Sequence, residues 1–309
     1  MASIRAWPRD NKHHREILLV GRLPRAPPPA APSSYAFERF SPTDAALDDG
    51  EITFNVLAAT IGKCLVFNYN GIPQRRPRLF DSRDLGTADS YWQAELASAP
   101  AWPLPEGPVV VVAAHPDDET FGAGGLIHSC SRAGHEVTVI TVTDGEGART
   151  DLEHPGTVRR RELRAALSCL SGRTIQWYRL GMPDGYVISH ESAVERAIKT
   201  RLPTDATLIA PVEQDGHPDH ETVARICMTL GHRRNMSVLR YPIWAWHHSS
   251  PGAWREGEFV RFELSAEAQM AKSRAIRCFA SQLDAGGSHA VMPTHVLSYF
   301  SRPYEAFLR

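Results

Sequence analysis

Two short stretches of this 309-residue chain concentrate the groups that bind cations and move protons. One is HPDDE, His115 to Glu119, set directly after the apolar run Val109 to Val112. The other is EQDGHPDH, residues 213–220, set after TLIAPV. Carboxylates crowded beside an imidazole repel one another unless a cation holds them. His115, Asp118 and His220 supply two imidazoles and one carboxylate, a donor set suited to a catalytic Zn2+ with an open water position. Asp118 follows His115 by three residues with Pro116 between, so one turn aims both side chains at a point, and His220 closes the site from the other loop. Zinc there would lower the pKa of its water to about 7 and polarise a carbonyl oxygen.

The residues beside these ligands have separate work. Asp117, next to Asp118, is placed to accept a proton as general base. His217 is expected to stabilise an oxyanion and later protonate a leaving amine, with Asp219 orienting His217 and holding it cationic. Glu119 is expected to contact backbone at the start of the following helix, where a carboxylate is favoured. Ser168 and the cysteines have no His/Asp partner at recognisable spacing, so no covalent nucleophile is expected. TDGEGA, residues 143–148, holds two glycines after a strand, but no GxGxxG follows the first strand and a dinucleotide is disfavoured. His247 and His248 read as ordinary loop histidines with a lesser claim on the pocket, and His128 and His135 as structural.

Elements able to position these loops begin at residue 108. PVVVVAA is a buried-strand run, FGAGGLIHSCSRAG (121–134) a small-residue helix and EVTVITVT (136–143) a second strand. Helix 157–170, strand 175–180, helix 191–201, strand 207–212, a helix near 219–231, strand 237–246 and an amphipathic helix over 265–282 continue the alternation. That pattern predicts an α/β fold with an open, mostly parallel sheet covered on both faces. In such sheets the ligand site lies beyond the carboxyl ends of the strands, so both loaded loops should open onto one edge.

Residues 1–105 read as an N-terminal extension and 106–309 as the catalytic domain. The extension holds the linker-like PRAPPPAAP (24–32), a β-like stretch from Ile52 to Tyr69 and the basic loop RRPR (75–78), read as a solvated turn. Tyr91 to Pro105 is expected beside the first strand. Lys and Arg number 34 against 35 Asp and Glu, which suggests neither a nucleic-acid nor an anionic-membrane partner. The five cysteines are dispersed without a CxxC pair, as expected of reduced thiols in a cytoplasmic protein. The early apolar run Ile17 to Val20 is too short for a signal-peptide core or a transmembrane segment.

HPDDE after a valine strand, followed by GAGG, together with HPDH, resembles the zinc-dependent N-acetylglucosamine deacetylases of the PIG-L/LmbE family over roughly residues 105–309. The resemblance implies a Rossmann-like three-layer fold and removal of an N-acyl group from a glucosamine-type sugar. It implies zinc on His115, Asp118 and His220, Asp117 as base, and a small N-acetylated amino sugar or glycoconjugate as partner. Arg159, in VRRRELRAA, matches an arginine that contacts substrate. Asp184, in LGMPDG, matches an acid that binds sugar hydroxyls. Some members carry a tyrosine two residues before HPDH; this chain has Asp215, so more of any oxyanion role falls on His217. The loops at 144–158, 181–190 and 284–295 should shape the substrate. Competing readings are metal-assisted hydrolysis of another bond, such as a thiol-conjugate amide or a phosphoester, and a non-catalytic sugar-binding relative. A binding module would need neither Asp117 nor His217.

Overall fold

Val109 to Val112 have no polar face to offer, so the strand they form must be covered on both sides. The computed structural model describes residues 47–48, 51–52, 80–148, 151–173, 175–254, 258–283 and 290–309. The chain divides into two units, Met1–Gln74 and Arg75–Arg309. In the first, β1 (Leu47–Asp48) pairs antiparallel with β2 (Glu51–Ile52). The proline-rich stretch, the β-like stretch beyond Ile52 and the RRPR loop lie outside the described residues.

The second unit is built on a seven-stranded sheet. Its strands are β3 (Val109–Ala113), β4 (Val137–Thr143), β5 (Gln176–Met182), β6 (Thr207–Pro211), β7 (Val238–Tyr241), β8 (Phe259–Glu263) and β9 (Tyr304–Leu308), in the spatial order β5-β4-β3-β6-β7-β9-β8. The five strands from β5 to β7 run parallel, whereas β9 is antiparallel to both its neighbours. Helices α1 (Asp89–Leu96), α2 (Asp118–Ala133), α3 (Pro155–Leu170), α4 (Glu191–Lys199), α5 (Pro218–Arg234), the single turn α6 (Ala245–His248) and α7 (Ala266–Arg277) connect and cover it.

Because side chains alternate along a strand, the valines of β3 divide between two cores. Val109 and Val111 join the cluster holding residues of α2, α3 and α7; Val110 and Val112 join the one holding residues of α4 and α5. The result is the three-layer α/β fold expected from the alternation. The chain winds outward from β3 to β5, then crosses to β6 on the other side of β3. That reversal places the loops after β3 and β6 side by side, the arrangement in which such sheets hold ligands.

Three expectations are corrected. The strand expected over 237–246 ends at Tyr241, because Pro242 follows it and lacks the N–H that the ladder needs. The helix expected over 265–282 stops at Arg277 and resumes as the separate turn Ala280–Leu283. Tyr91 to Pro105 meets the sheet at its far edge rather than beside β3: Ala101 bridges Arg261 of β8, and the Trp102 N–H donates to the Arg261 carbonyl at 2.6 Å. The strands β8 and β9 were not foreseen.

A candidate metal and acid-base site

β3 ends at Ala113, and the four residues that follow turn the chain into α2, whose N-cap is Asp117. Asp117 has φ 116°, a left-handed conformation strained for a residue with a Cβ. α2 breaks at Ala123, where φ is −141°. Glu305 of β9 repairs the break by accepting the Gly125 and Leu126 N–H groups at 2.7 and 2.9 Å, and Lys272 of α7 neutralises it at 2.7 Å. The small residues of FGAGG follow from these close approaches. A Cβ on Gly122 would lie 2.2 Å from the Tyr241 ring, whose hydroxyl donates to the Val112 carbonyl at 2.8 Å. The helix start that carries Asp117 and Asp118 is therefore braced from β7, β9 and α7.

The second loop leaves β6 and enters α5 with His217 as N-cap and Pro218 as the first helical residue. The Asp219 N–H donates to His217 Nδ1 at 3.2 Å. That bond satisfies an otherwise orphaned helix donor.

The two loops bring His115, Asp118 and His220 together. His115 Nδ1 lies 3.0 Å from His220 Nε2 and 3.5 Å from Asp118 Oδ2, and His220 Nε2 lies 3.3 Å from Asp118 Oδ2. All three residues are buried. The opposite ring nitrogens face carboxylates: His220 Nδ1 is 2.6 Å from Asp215 Oδ2, and His115 Nε2 is 3.2 Å from Asp184 Oδ1 and 3.3 Å from Asp219 Oδ2. With a cation bound, each imidazole would keep its N–H on a carboxylate and turn its other nitrogen to the metal beside Asp118, the arrangement of metal-ligating histidines. Donors on a tetrahedral zinc, at bonds of about 2.0–2.1 Å, stand about 3.3–3.4 Å apart, close to the spacing here. Donor atoms of His115, His217 and His220, and of His115, Asp184 and Asp219, also cluster within 4.8 Å. In the latter set, however, the shared His115 nitrogen is the one occupied by carboxylates. The donors present fit a divalent cation on His115 Nδ1, His220 Nε2 and Asp118.

The electrostatics agree with that fit. Burial lowers the His115 pKa, but Asp184, Asp118 and Asp219 overcome it and raise it well above 6.5. A site this acidic draws a proton onto the imidazole unless a cation takes its place. Burial would raise the Asp118 carboxyl, yet His220 and His115 pull it below its ordinary value. Burial lifts Asp117 to about 7 despite the opposing Arg159, a value suited to a base working near neutrality. Glu119 accepts the Asp117 N–H at 3.2 Å, as expected of a carboxylate at this helix start, and burial pushes it up to about 8.

Asp219 serves differently from the expectation. Its carboxylate accepts the Gly185 and Val187 N–H groups at 2.6 and 3.2 Å and faces His115. Because His217 Nδ1 accepts a backbone N–H, that nitrogen bears no proton. His217 Nδ1 is thus turned to its own helix start rather than to the Asp219 carboxylate. Asp184 stands in the pocket wall, buried, with Oδ2 accepting the Gly147 N–H at 2.7 Å. Arg159 is also buried, and its guanidinium lies 2.9 Å from Asp117 Oδ2.

Asp215 is the residue whose role sequence reasoning missed. Beyond holding His220, its carboxylate accepts the Ile243, Trp244 and Ala245 N–H groups at 2.8, 3.0 and 3.0 Å. An acid five residues before a ligand histidine was the available signal. His247 and His248 bond the Asp84 and Asp215 carbonyls, and His128 the Leu170 carbonyl, so these three have structural partners. The site opens into a pocket walled on its apolar side by Phe121, Ile243, Trp244, Val291 and Met292. Each loop expected to shape the substrate contributes to its lining, through Ala148, Asp184 and Val291.

Residues 110–230 match the sequence model of the family described as PIG-L: GlcNAc-PI de-N-acetylase. Among curated proteins, the 1D-myo-inositol 2-acetamido-2-deoxy-alpha-D-glucopyranoside deacetylase of Corynebacterium efficiens is 29% identical over 165 residues, covering 44% of this chain and 52% of that protein. The enzyme of the same name from Corynebacterium diphtheriae is 28% identical over 224 residues, covering 56% and 75%. The match to the first thus spans about half of that relative's length. Among solved structures, the A40926 pseudoaglycone deacetylase is similar with TM-score 0.49 and 21% identity, covering 65% of this chain and 96% of that one. The N,N'-diacetylchitobiose deacetylase of Pyrococcus horikoshii gives TM-score 0.45 and 20% identity over 63% and 74%. Among the described residues, no helix is long and apolar enough to cross a membrane.

Proposed function

We propose that the chain is a zinc-dependent hydrolase that removes the N-acyl group, most simply N-acetyl, from a glucosamine-type sugar or its conjugate. The observation that carries this reading is the convergence of His115 Nδ1, His220 Nε2 and Asp118 Oδ2, flanked by a buried carboxylate on one side and an imidazole N–H on the other. The match of residues 110–230 to the PIG-L family model and the similarity to acetamido-sugar deacetylases support the choice of substrate class.

His115, Asp118 and His220 would hold the zinc, with Asp215, Asp184 and Asp219 fixing the two rings. Bound there, zinc supplies Lewis acidity toward the acyl oxygen and lowers the pKa of a water. Asp117 takes the proton from the attacking water as general base. His217 would donate a ring N–H to the oxygen that becomes negative. The proton held by Asp117 then passes to the departing nitrogen, so one carboxyl acts as base and afterwards as acid. Asp184, which lines the cavity, would also accept a sugar hydroxyl. The dispersed cysteines support a reducing, cytoplasmic setting.

Asp117→Asn separates chemistry from metal binding. The variant should retain zinc and lose about 10²–10⁴-fold in kcat for acetate release from 1D-myo-inositol 2-acetamido-2-deoxy-alpha-D-glucopyranoside. Undiminished turnover in that variant would sink the mechanism. Release of phosphate rather than acetate from a phosphorylated sugar would favour a phosphoesterase instead.

A further inference from the structure

Arg159 is expected, by resemblance, to contact substrate, yet its guanidinium is largely committed elsewhere. Nη2 donates to the Pro116 carbonyl and lies 2.9 Å from Asp117 Oδ2, while Nη1 donates to the Gly145 carbonyl at 3.0 Å. Those contacts grip both sides of the one strained peptide of the metal loop: the carbonyl before Asp117 and the carboxylate after it. Gly145 has φ 65°, and a Cβ there would lie 2.0 Å from Arg159 Nη1. The guanidinium therefore rests directly on the Gly145 backbone, in a place that opens only because residue 145 has no side chain. The loop TDGEGA, weighed from sequence as a phosphate cradle, is spent on seating this arginine.

We propose that Arg159, seated on Gly145, is a positioning residue that holds Asp117 at φ 116° with its carboxylate aimed at the cation site. An aspartate left to itself leaves the left-handed region, which is strained for a residue with a Cβ. A side chain that bonds both the preceding carbonyl and the carboxylate opposes that escape. Lysine preserves the charge but not the fork, since its single ammonium cannot bond Pro116, Gly145 and Asp117 with the geometry of a planar guanidinium. The inference rests on the proposed role of Asp117 as base, and its test contains one arm that does not.

The kinetic arm is a double-mutant cycle of Arg159→Met and Asp117→Asn, followed by acetate release from the inositol acetamido sugar named above. If Arg159 acts through Asp117, Arg159→Met lowers kcat about tenfold or more, leaves KM and zinc content near wild type, and costs almost nothing further in the Asp117→Asn background. Arg159→Lys should recover only part of the loss, and Gly145→Ala should reproduce it by unseating the guanidinium. A raised KM with kcat intact, or full additivity in the cycle, overturns the proposal in favour of direct substrate contact. The structural arm is a crystal structure of zinc-loaded Arg159→Met, or of Arg159→Lys if the methionine variant does not fold. Asp117 should relax from its positive φ or swing its carboxylate from the cation site; an unmoved Asp117 overturns the proposal whatever the substrate. If wild type releases no acetate while Asp117 moves in the variant, the deacetylase reading falls and the positioning role stands.

Discussion

Both metal-site loops spell His-Pro-Asp, yet the shared letters occupy different places in the fold. Aligned on spelling, the ligand His115 would correspond to His217, which is not among the three proposed ligands. Aligned on the helix N-caps, the loops correspond more closely: Asp117 and His217 are the two caps, and each carries a group proposed to handle a proton. Two residues earlier stand His115 and Asp215, a proposed ligand and the carboxylate that holds the proposed ligand His220. A side chain at a helix cap projects from the strand-to-helix turn into the crevice beyond the sheet, so cap position decides function here more than the tripeptide does. The loops differ in how the turn is made. The second turns at Gly216, φ 77°, and leaves His217 in ordinary extended backbone; the first places the positive φ on Asp117 itself. The first loop stores strain on its working residue, and the second puts it on a glycine.

The most severe way to break this comparison is to remove a residue from each side of the His220–Asp215 contact. His220→Ala should abolish zinc retention and with it all acetate release. Asp215→Asn keeps the ring's company but weakens its acceptor, so zinc affinity should fall by about 10–100-fold, read by competition with a chelator. Equal effects from the two variants would show that Asp215 belongs to the ligand set and not behind it.

A smaller effect sharpens the contrast in strain. Gly216→Ala places a Cβ 2.6 Å from the His248 ring in a left-handed conformation, and should cost about 1–2 kcal/mol in urea unfolding. Asp117→Gly relieves the same kind of strain and should raise stability by a similar amount while losing turnover. A destabilised Asp117→Gly would mean that the carboxylate's contacts outweigh the backbone cost.

Much of this was legible in residue order. The run of valines, the β-branched strand at 137–143 and the amphipathic helices between strands reveal a parallel α/β sheet, because burial on both faces leaves strands apolar throughout. β8 and β9 were hidden for the opposite reason. FVRFE and YEAFL are five-residue strands whose pairing joins positions 41 to 49 residues apart, which no local period records. The grouping of His115, Asp118 and His220 follows from spacing and from two strand ends expected at one edge. Which carboxylate backs which imidazole does not follow, since it depends on the nitrogen each ring turns inward. Asp219 was assigned to its near neighbour His217, but its carboxylate reaches across the crevice to His115. The Arg159–Asp117 pair was equally invisible, because it depends on α3 crossing the loop at a glycine.

The central claim is that His115, Asp118 and His220 hold a catalytic dication for deacylating an amino sugar. Metal analysis of the purified chain, coupled to an acetate-release assay on a panel of N-acetylglucosamine conjugates, tests it most directly. The expected result is a single tightly held zinc per chain and acetate released from at least one conjugate, abolished by chelation and restored by zinc. A chain that holds no stoichiometric divalent metal, or that releases acetate as fast after chelation as before, would contradict it.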